Sequence, residues 1–275
     1  MHQVIAEVLS NKNITCNYFK ITLHAPEICQ DAQPGQFVHI KVTAGSALLL
    51  RRPFSIHNTE NEKLEILYRV VGKGTDLLSK KEKREKLDLL GPLGQGFELE
   101  ENLGKVILVA GGIGVAPLYF LAKRLLNSNS KVSSQTPPKR RPLQIIALLG
   151  AGTRKQILCA QDFRNVGAVV KVATEDGSWG YKGLVSDFLA ETLLRYPKPD
   201  LVFACGPVPM LKKTAQLRGK PRLPLQVSLE QRMGCGIGAC LGCVVTSPEG
   251  YLRVCKDGPV FRADQILWDR LTEKI

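Results

Sequence analysis

The stretch KVILVAGGIGVAPLYFLAKRLLNSN, residues 105–129, decides the fold class. It reads as a continuous apolar run, then a cluster of glycines, then apolar residues spaced for one face of a helix. A strand that is apolar at every position is covered on both faces, as in a parallel sheet flanked by helices. The alternation returns in LQIIALLGAG (143–152), in AVVKVATEDG (168–177) before VSDFLAETLLRY (185–196), and in DLVFACGP (200–207) before VPMLKKTAQL (208–217). A doubly wound α/β domain is expected here.

Towards the N-terminus the texture differs. From Val4 to about Leu99 short alternating runs are broken by turn residues: QVIAEVLS (3–10), YFKITLHA (18–25), QFVHIKV (36–42), LEILYRVV (64–71) and KLDLLGP (86–92). Evenly spaced short strands predict a small antiparallel barrel. One helix is expected within GTDLLSKKEKREKL (74–87), starting at Thr75, whose hydroxyl could cap it.

After KPRLPL the chain becomes rich in cysteine. RMGCGIGACLGCVV (232–245) and RVCKDGPVF (253–261) carry Cys235, Cys240, Cys243 and Cys255, a C-x4-C-x2-C-x11-C spacing. Its first part is the plant-type [2Fe-2S] arrangement, in which a loop wraps the cluster and a later strand brings the fourth thiolate. Gly234, Gly236, Gly238, Ala239 and Gly242 lack bulk, so the backbone can curl closely and aim N–H groups at sulfur. The alternative is a structural zinc ion with four thiolates, although zinc sites more often pair two separate C-x2-C knuckles. A segment this short needs a staple, and either centre supplies one.

The chain has 275 residues, eight cysteines and a formal charge of +13. That length suits two or three modules. No run reaches the roughly 18 consecutive apolar residues of a membrane span. MHQVIAEVLSNKN lacks the build of a signal peptide, so a cytoplasmic location is expected. Cys16, Cys29, Cys159 and Cys205 are scattered, and eight thiols in a reducing compartment do not predict disulfides. Much of the positive excess lies in KKEKREK (80–86) and PPKRR (137–141), read first as solvated faces and loops; the second belongs to the exposed loop NSNSKVSSQTPPKRRP (127–142).

Three further stretches are candidate anion or nucleotide contacts. Gly111, Gly112 and Gly114 end a strand and open a helix, where N–H groups can meet a pyrophosphate, yet such turns also use glycine for geometry alone. Arg52 in LLLRRPFSIHN could hold a phosphate bidentately beside the Ser55 hydroxyl, or be an edge-strand arginine next to a core phenylalanine. YRVVGKGTDLL adds a glycine turn at a helix start.

Together, RRPFSI, LYRVVGKGT, GPLGQGF, AGGIGVAPL, EDGSWGYKG, ACGPVPML and LEQRMGCGIGACLGCVV with RVCKDGPVF resemble the electron-transfer subunits of NAD-dependent (type B) dihydroorotate dehydrogenase, in the ferredoxin-reductase superfamily. The resemblance spans essentially the whole chain. It implies an antiparallel FAD-binding β-barrel (1–100), a parallel doubly wound NAD-binding domain (101–225) and a small C-terminal [2Fe-2S] module (226–275). It implies that Arg52, Pro53, Phe54 and Ser55 contact FAD, with Leu67, Tyr68 and Arg69 beside it and Gly74 with Thr75 at its phosphates. Gly111, Gly112 and Gly114 would face the nicotinamide cofactor, with Cys205, Gly206 and Pro207 near its nicotinamide. The metal ligands would be Cys235, Cys240, Cys243 and Cys255.

By the same resemblance the chain does not oxidise dihydroorotate itself. A separate FMN-containing catalytic subunit does so, in a heterotetramer of two of each, and electrons pass from FMN through the cluster and FAD to NAD+. No acid–base dyad or nucleophile is expected, and His2, His24, His39 and His57 have no evident partner in sequence. The basic loop and the high charge are not part of the family pattern. Arg154 and Lys155 follow a strand end where a 2′-phosphate could sit, though the resemblance leans to NAD. Two rival readings stay open: a related subunit of a sulfide dehydrogenase, hydrogenase or ferredoxin-NAD(P) oxidoreductase, and a basic zinc-stapled nucleic-acid-binding protein, which lacks aromatics interleaved with the basic runs.

Overall fold

The computed structural model describes residues 1–43, 48–100, 102–130, 142–195, 198–217 and 223–271. The chain forms two compact units, one of Met1–Gly96 with Leu229–Val260 and the other of Phe97–Ser228 with the chain from Phe261.

The first unit is built on β1 (His2–Thr15), β2 (Tyr18–His24), β3 (Phe37–Lys41), β4 (Arg52–Ser55), β5 (Asn58–Glu60), β6 (Lys63–Arg69) and β7 (Lys86–Leu93), with helices α1 (Pro26–Asp31) and α2 (Lys73–Ser79). Its strands pair antiparallel in the order β4-β3-β7-β1-β2-β6-β5. The sheet curls until Phe54 of β4 meets Tyr68 of β6 edge-on, 5.7 Å between ring centroids, although these strands stand far apart in the pairing order. Alternation of buried and exposed residues along β2 and β7 gives the sheet one core face.

Two details differ from the sequence reading. Helix α2 starts at Lys73 rather than Thr75, and Thr75 occupies the third helical position, where its Oγ1 accepts from the N–H groups of Val71 and Gly72. It also ends at Ser79, because Glu85 turns back to receive the Glu82 N–H and Arg84 takes a positive φ of 75°. The basic run 80–86 is therefore mostly a turn. Short elements such as α1 and β5 carry too few residues to show a period.

The second unit contains β8 (Lys105–Gly111), α3 (Val115–Ser130), β9 (Gln144–Ala151), α4 (Ala160–Asn165), β10 (Val169–Thr174), β11 (Tyr181–Lys182), α5 (Val185–Arg195), β12 (Leu201–Cys205), α6 (Val208–Gln216) and β13 (Leu225–Ser228). The cysteine segment adds the hairpin β14 (Val244–Ser247) and β15 (Gly250–Arg253) to the first unit, and β16 (Val260–Arg262) follows at the edge of the second sheet. Strands β8, β9, β10, β12 and β13 are parallel in the order β10-β9-β8-β12-β13. Every residue of β12 and β13 is buried, and Leu118, Leu121, Ala122 and Leu125 form the inward stripe of α3. The basic segment 137–141 lies outside the described residues.

The turn between β8 and α3 carries a hard steric requirement. A Cβ on Gly114 would overlap the backbone carbonyl of Cys205, at the end of β12. Gly114→Ala is expected to destabilise the protein by about 1–3 kcal/mol, because backbone rather than a movable side chain stands in the way. Thermal unfolding of wild type and variant under identical conditions checks this, and an unchanged Tm contradicts it.

Candidate redox and nucleotide sites

The four clustered cysteines come together on the first unit as two neighbouring pairs. Cys235 stands beside Cys240, and Cys255 beside Cys243. Backbone N–H groups point at every one of the sulfurs: Ile237 and Cys240 at Cys235 Sγ (3.5 and 3.4 Å), Gly242 at Cys240 Sγ (3.5 Å), Cys255 at Cys243 Sγ (3.4 Å) and Gly238 at Cys255 Sγ (3.1 Å). Positive φ angles of 74° at Gly236 and 85° at Gly238 turn the loop so that these groups face inward.

This donor set has a distinct electrostatic character. Burial opposes ionisation of Cys235, but the N–H groups of Ile237 and Cys240 overcome it and pull the thiol down to about 6. Burial and the adjacent Cys243 push Cys255 up to about 12. Cys235 and Cys255 are thus displaced in opposite directions, and a bound cation would favour the thiolate form of each. Among the described residues no three His, Cys, Asp or Glu side chains converge on a single ion. Two pairs of sulfurs held by N–H groups suit a two-iron cluster, with one pair for each iron, better than one tetrahedral zinc.

KDGPVF holds this loop from behind. The Asp257 carboxylate receives Nε and Nη2 of Arg253, both at 2.9 Å, and the Arg253 N–H at 2.8 Å, while Arg253 Nη1 reaches the Gly238 carbonyl at 3.5 Å. Lys256 lies against Gly238, and the Gly258 carbonyl accepts from the N–H of Gln95 beside β7 at 2.6 Å. The sequence showed the motif as a fingerprint, but not that its aspartate acts through Arg253. Two charges four residues apart have no stated geometry until the turn after β15 is known.

Of the residues expected beside a flavin, Arg52 lies against Gly74 and Phe54 against Tyr68. Arg51 is committed to Asp88, with Nη2 2.6 Å from Oδ2, whereas Arg52 bonds the Leu50 carbonyl and lies across Gly74, where a Cβ would stand 2.8 Å from its Nε. No carboxylate pairs with Arg52 among the described residues. Phe54 is buried against Tyr68. The Tyr68 ring stacks on Phe19 and its hydroxyl donates to Asn11 Oδ1 at 3.0 Å; burial pushes the phenol up to about 12. Leu67 is core, and Arg69 lies on the surface over the Tyr18 ring. The Thr75 hydroxyl serves its own turn.

In the second unit the order β9-β8-β12 reverses direction between β8 and β12, the switch point where open α/β sheets form a crevice. Gly111, Gly114, Cys205, Gly206 and Pro207 meet there. A Cβ on Gly111 would stand 2.8 Å from Pro207 Cδ, and one on Gly206 would stand 3.0 Å from the Gly111 backbone. Gly112 differs: its φ is +53° and the space beside it is open. Two of the three glycines are thus explained by packing, and the third has open space beside it. Cys205 is buried.

Arg154, just after β9, and Arg164 of α4 both approach the Trp179 ring that follows β10, with Cζ 5.6 and 5.9 Å from its centroid. The Ser178 hydroxyl accepts the Arg154 N–H at 2.8 Å and donates to Asp176 Oδ1 at 2.6 Å. The turn EDGSWG is therefore a built structure on the sheet's carboxyl edge.

Asp257→Asn is expected to cost on the order of 1 kcal/mol and to hasten loss of the cluster, since it breaks a bidentate, charge-assisted pair. Hydrogen bonding by Arg253 holds the Asp257 carboxyl below its ordinary 3.8. The pair therefore stabilises the fold fully above that pH and is lost as pH falls through the lower, folded value. The difference in Tm between wild type and variant should shrink below about pH 4; a difference that persists there excludes this role.

Comparison with known proteins agrees with the geometry. Residues 230–267 match the iron-sulfur cluster binding domain of dihydroorotate dehydrogenase B, and residues 108–216 match an oxidoreductase NAD-binding domain. The chain is 40% identical over 270 residues to the "Dihydroorotate dehydrogenase B (NAD(+)), electron transfer subunit" of Desulforamulus reducens, covering 96% of this chain and 98% of that one. The subunit of the same name from Geobacillus thermodenitrificans is 40% identical over 268 residues, 94% and 96% of the two chains. Among solved structures, one of NADH-dependent reduced ferredoxin-NADP oxidoreductase superposes with a TM-score of 0.83 at 33% identity, covering 98% and 91%. The flavohem-like FAD/NAD binding domain of nitric oxide dioxygenase from Vibrio cholerae shares the fold alone, at TM-score 0.64, 21% identity and coverage of 81% and 97%. A nest of N–H groups around four cysteines, a glycine-lined switch point and identity along nearly the full chain lead to one conclusion: the chain belongs to the family of dihydroorotate dehydrogenase B (NAD(+)) electron-transfer subunits.

Proposed function

We propose that this chain passes electrons from a dihydroorotate-oxidising, FMN-containing catalytic subunit to NAD+ in pyrimidine synthesis, with a [2Fe-2S] cluster and FAD as its own carriers. The observation that carries this reading is the pairing of Cys235 with Cys240 and Cys243 with Cys255 under five inward N–H groups. When bound, the cluster supplies single-electron transfer and FAD supplies exchange between single electrons and a hydride.

The residues have distinct tasks in this reading. Cys235, Cys240, Cys243 and Cys255 hold the cluster, and the N–H groups around them offset the charge it gains. Arg52, aided by the turn that Gly74 and Thr75 form, binds the flavin's phosphates, while Pro53, Phe54, Ser55, Leu67, Tyr68 and Arg69 shape the surface beside its ring. Gly112 lets the nicotinamide cofactor approach bare backbone, and Gly111, Gly114, Cys205, Gly206 and Pro207 keep the strand ends close enough to leave that crevice. The division of labour follows residues 1–100 for FAD, 101–225 for NAD and 226–275 for the cluster.

The partner meets the cysteine segment. Ile237, Leu241 and Tyr251 are 47%, 60% and 76% exposed, and Leu241, Val244, Tyr251 and Arg253 line a shallow hollow of about 420 Å³. Exposed apolar side chains of this size around an electron carrier suit a docking rim. We place the complex in the cytoplasm as two copies of each subunit. Among the described residues no helix is long and apolar enough to cross a membrane. The likeness to a ferredoxin-NADP oxidoreductase keeps one second reading in view, a different catalytic companion.

Purified anaerobically, the protein should be yellow-brown, with two irons, two sulfides and one FAD per chain. Zinc, or a colourless product, would overturn the reading, and recovery of another catalytic subunit on affinity capture would favour the alternative. Leu241→Asp should weaken capture of the catalytic subunit about tenfold or more without altering the visible spectrum, since it puts a charge in the apolar rim. Binding should also weaken as salt rises, given the charge of +13. Affinity that does not change between low and high salt would exclude electrostatic docking.

A further inference from the structure

One buried side chain beside the cysteine loop has no role in the account above. His39 on β3 has no exposed surface, and neither of its ring nitrogens has a hydrogen-bond partner among the described residues. Buried polar atoms without partners are rare, because burial strips their water and returns nothing. The ring's Nδ1 and Cε1 edge is turned to Gly236: a Cβ at that position would stand 2.7 Å from Nδ1 and 2.8 Å from Cε1. Gly236 directly follows Cys235, and its φ of +74° bends the loop over the imidazole.

The surroundings leave the ring few other acceptors. Phe37 packs edge-on at 6.0 Å, and the residue opposite His39 on β4 is Pro53. Burial, with a smaller push from Arg51, lowers the imidazole pKa to about 4, so near neutral pH it carries one N–H and no charge. The backbone already aims N–H groups at all four ligand sulfurs from this loop. His39 brings a side-chain donor to the same place from a different part of the chain.

We propose that His39 is the barrel's hydrogen-bond donor to the iron–sulfur centre: its ring N–H bonds a sulfur of the cluster held by Cys235, Cys240, Cys243 and Cys255, and its ring seats the Gly236 turn. This rests on the cluster reading above. A donor to sulfur stabilises the negative charge gained on reduction and so raises the reduction potential. Glycine is required at 236 because any side chain would occupy the place of the imidazole edge.

The test uses the full chain purified with its iron and flavin, labelled with ¹⁵N-histidine and reduced with dithionite. Iron and sulfide content and the reduced-cluster resonance establish that the centre is present, independently of His39. Pulsed paramagnetic resonance is expected to show ¹⁵N coupling that disappears in His39→Gln. In potentiometric titration, His39→Leu should shift the cluster midpoint to more negative values, with the flavin midpoint unchanged and part of the shift recovered in His39→Gln. The proposal is overturned by a present cluster without ¹⁵N coupling, by coupling that survives in His39→Gln, by an unshifted cluster midpoint, or by a shift confined to the flavin. If His39→Leu does not retain the cluster, the coupling in the labelled wild type decides.

Discussion

Sulfur atoms that are to carry charge side by side repel one another, and everything in the cysteine segment answers that repulsion. Five backbone N–H groups face four sulfurs, and positive φ angles at Gly236 and Gly238 are what let one short loop supply most of them. The Cys235 and Cys255 thiols are displaced in opposite directions: N–H groups favour the thiolate of one, while burial next to Cys243 disfavours that of the other. Metal and loop are therefore two halves of one electrostatic balance.

A loop under such demands cannot hold itself. Asp257 clamps Arg253, Arg253 reaches the carbonyl of Gly238, and the Gly258 carbonyl and Pro259 meet the strand end at Gln95 and Gly94. The chain that leaves β7 thereby serves as an anchor for a segment with little core of its own. The second unit solves a separate problem by packing alone. Its parallel strands reverse order between β8 and β12, and glycines at both strand ends allow backbone to approach backbone where a Cβ would meet Cys205, Pro207 or Met210.

Legibility in the sequence followed the range of the interactions involved. Strands β8, β9 and β12 were plain from continuous apolar runs, and β1, β2, β3, β6 and β7 from alternation, because burial on two faces or one leaves a period in the chain itself. The start of α2 was misread by two residues: Thr75 looks like a cap but works from the third position, since Gly72, with no side chain, takes the capping place. The helix ends at Ser79, well inside GTDLLSKKEKREKL, where Glu85 receives the Glu82 N–H and pairs with Lys81. The role of His39 was invisible. Its ring is defined by Gly236, almost two hundred positions away, and no local pattern marks such a meeting.

By itself, the order of residues determined the two kinds of sheet, the spacing of the four clustered cysteines and the glycine-lined turns, since periodicity, spacing and steric freedom are properties of neighbouring residues. Only the tertiary structure decided that Arg51 is spent on Asp88 while Arg52 lies over Gly74, that Gly111 and Gly114 serve packing while Gly112 faces open space, and that a buried imidazole stands against the cysteine loop. Those outcomes depend on which distant backbones come within a few ångströms of one another. Such distances are set by how the whole core closes, and no stretch of chain contains them.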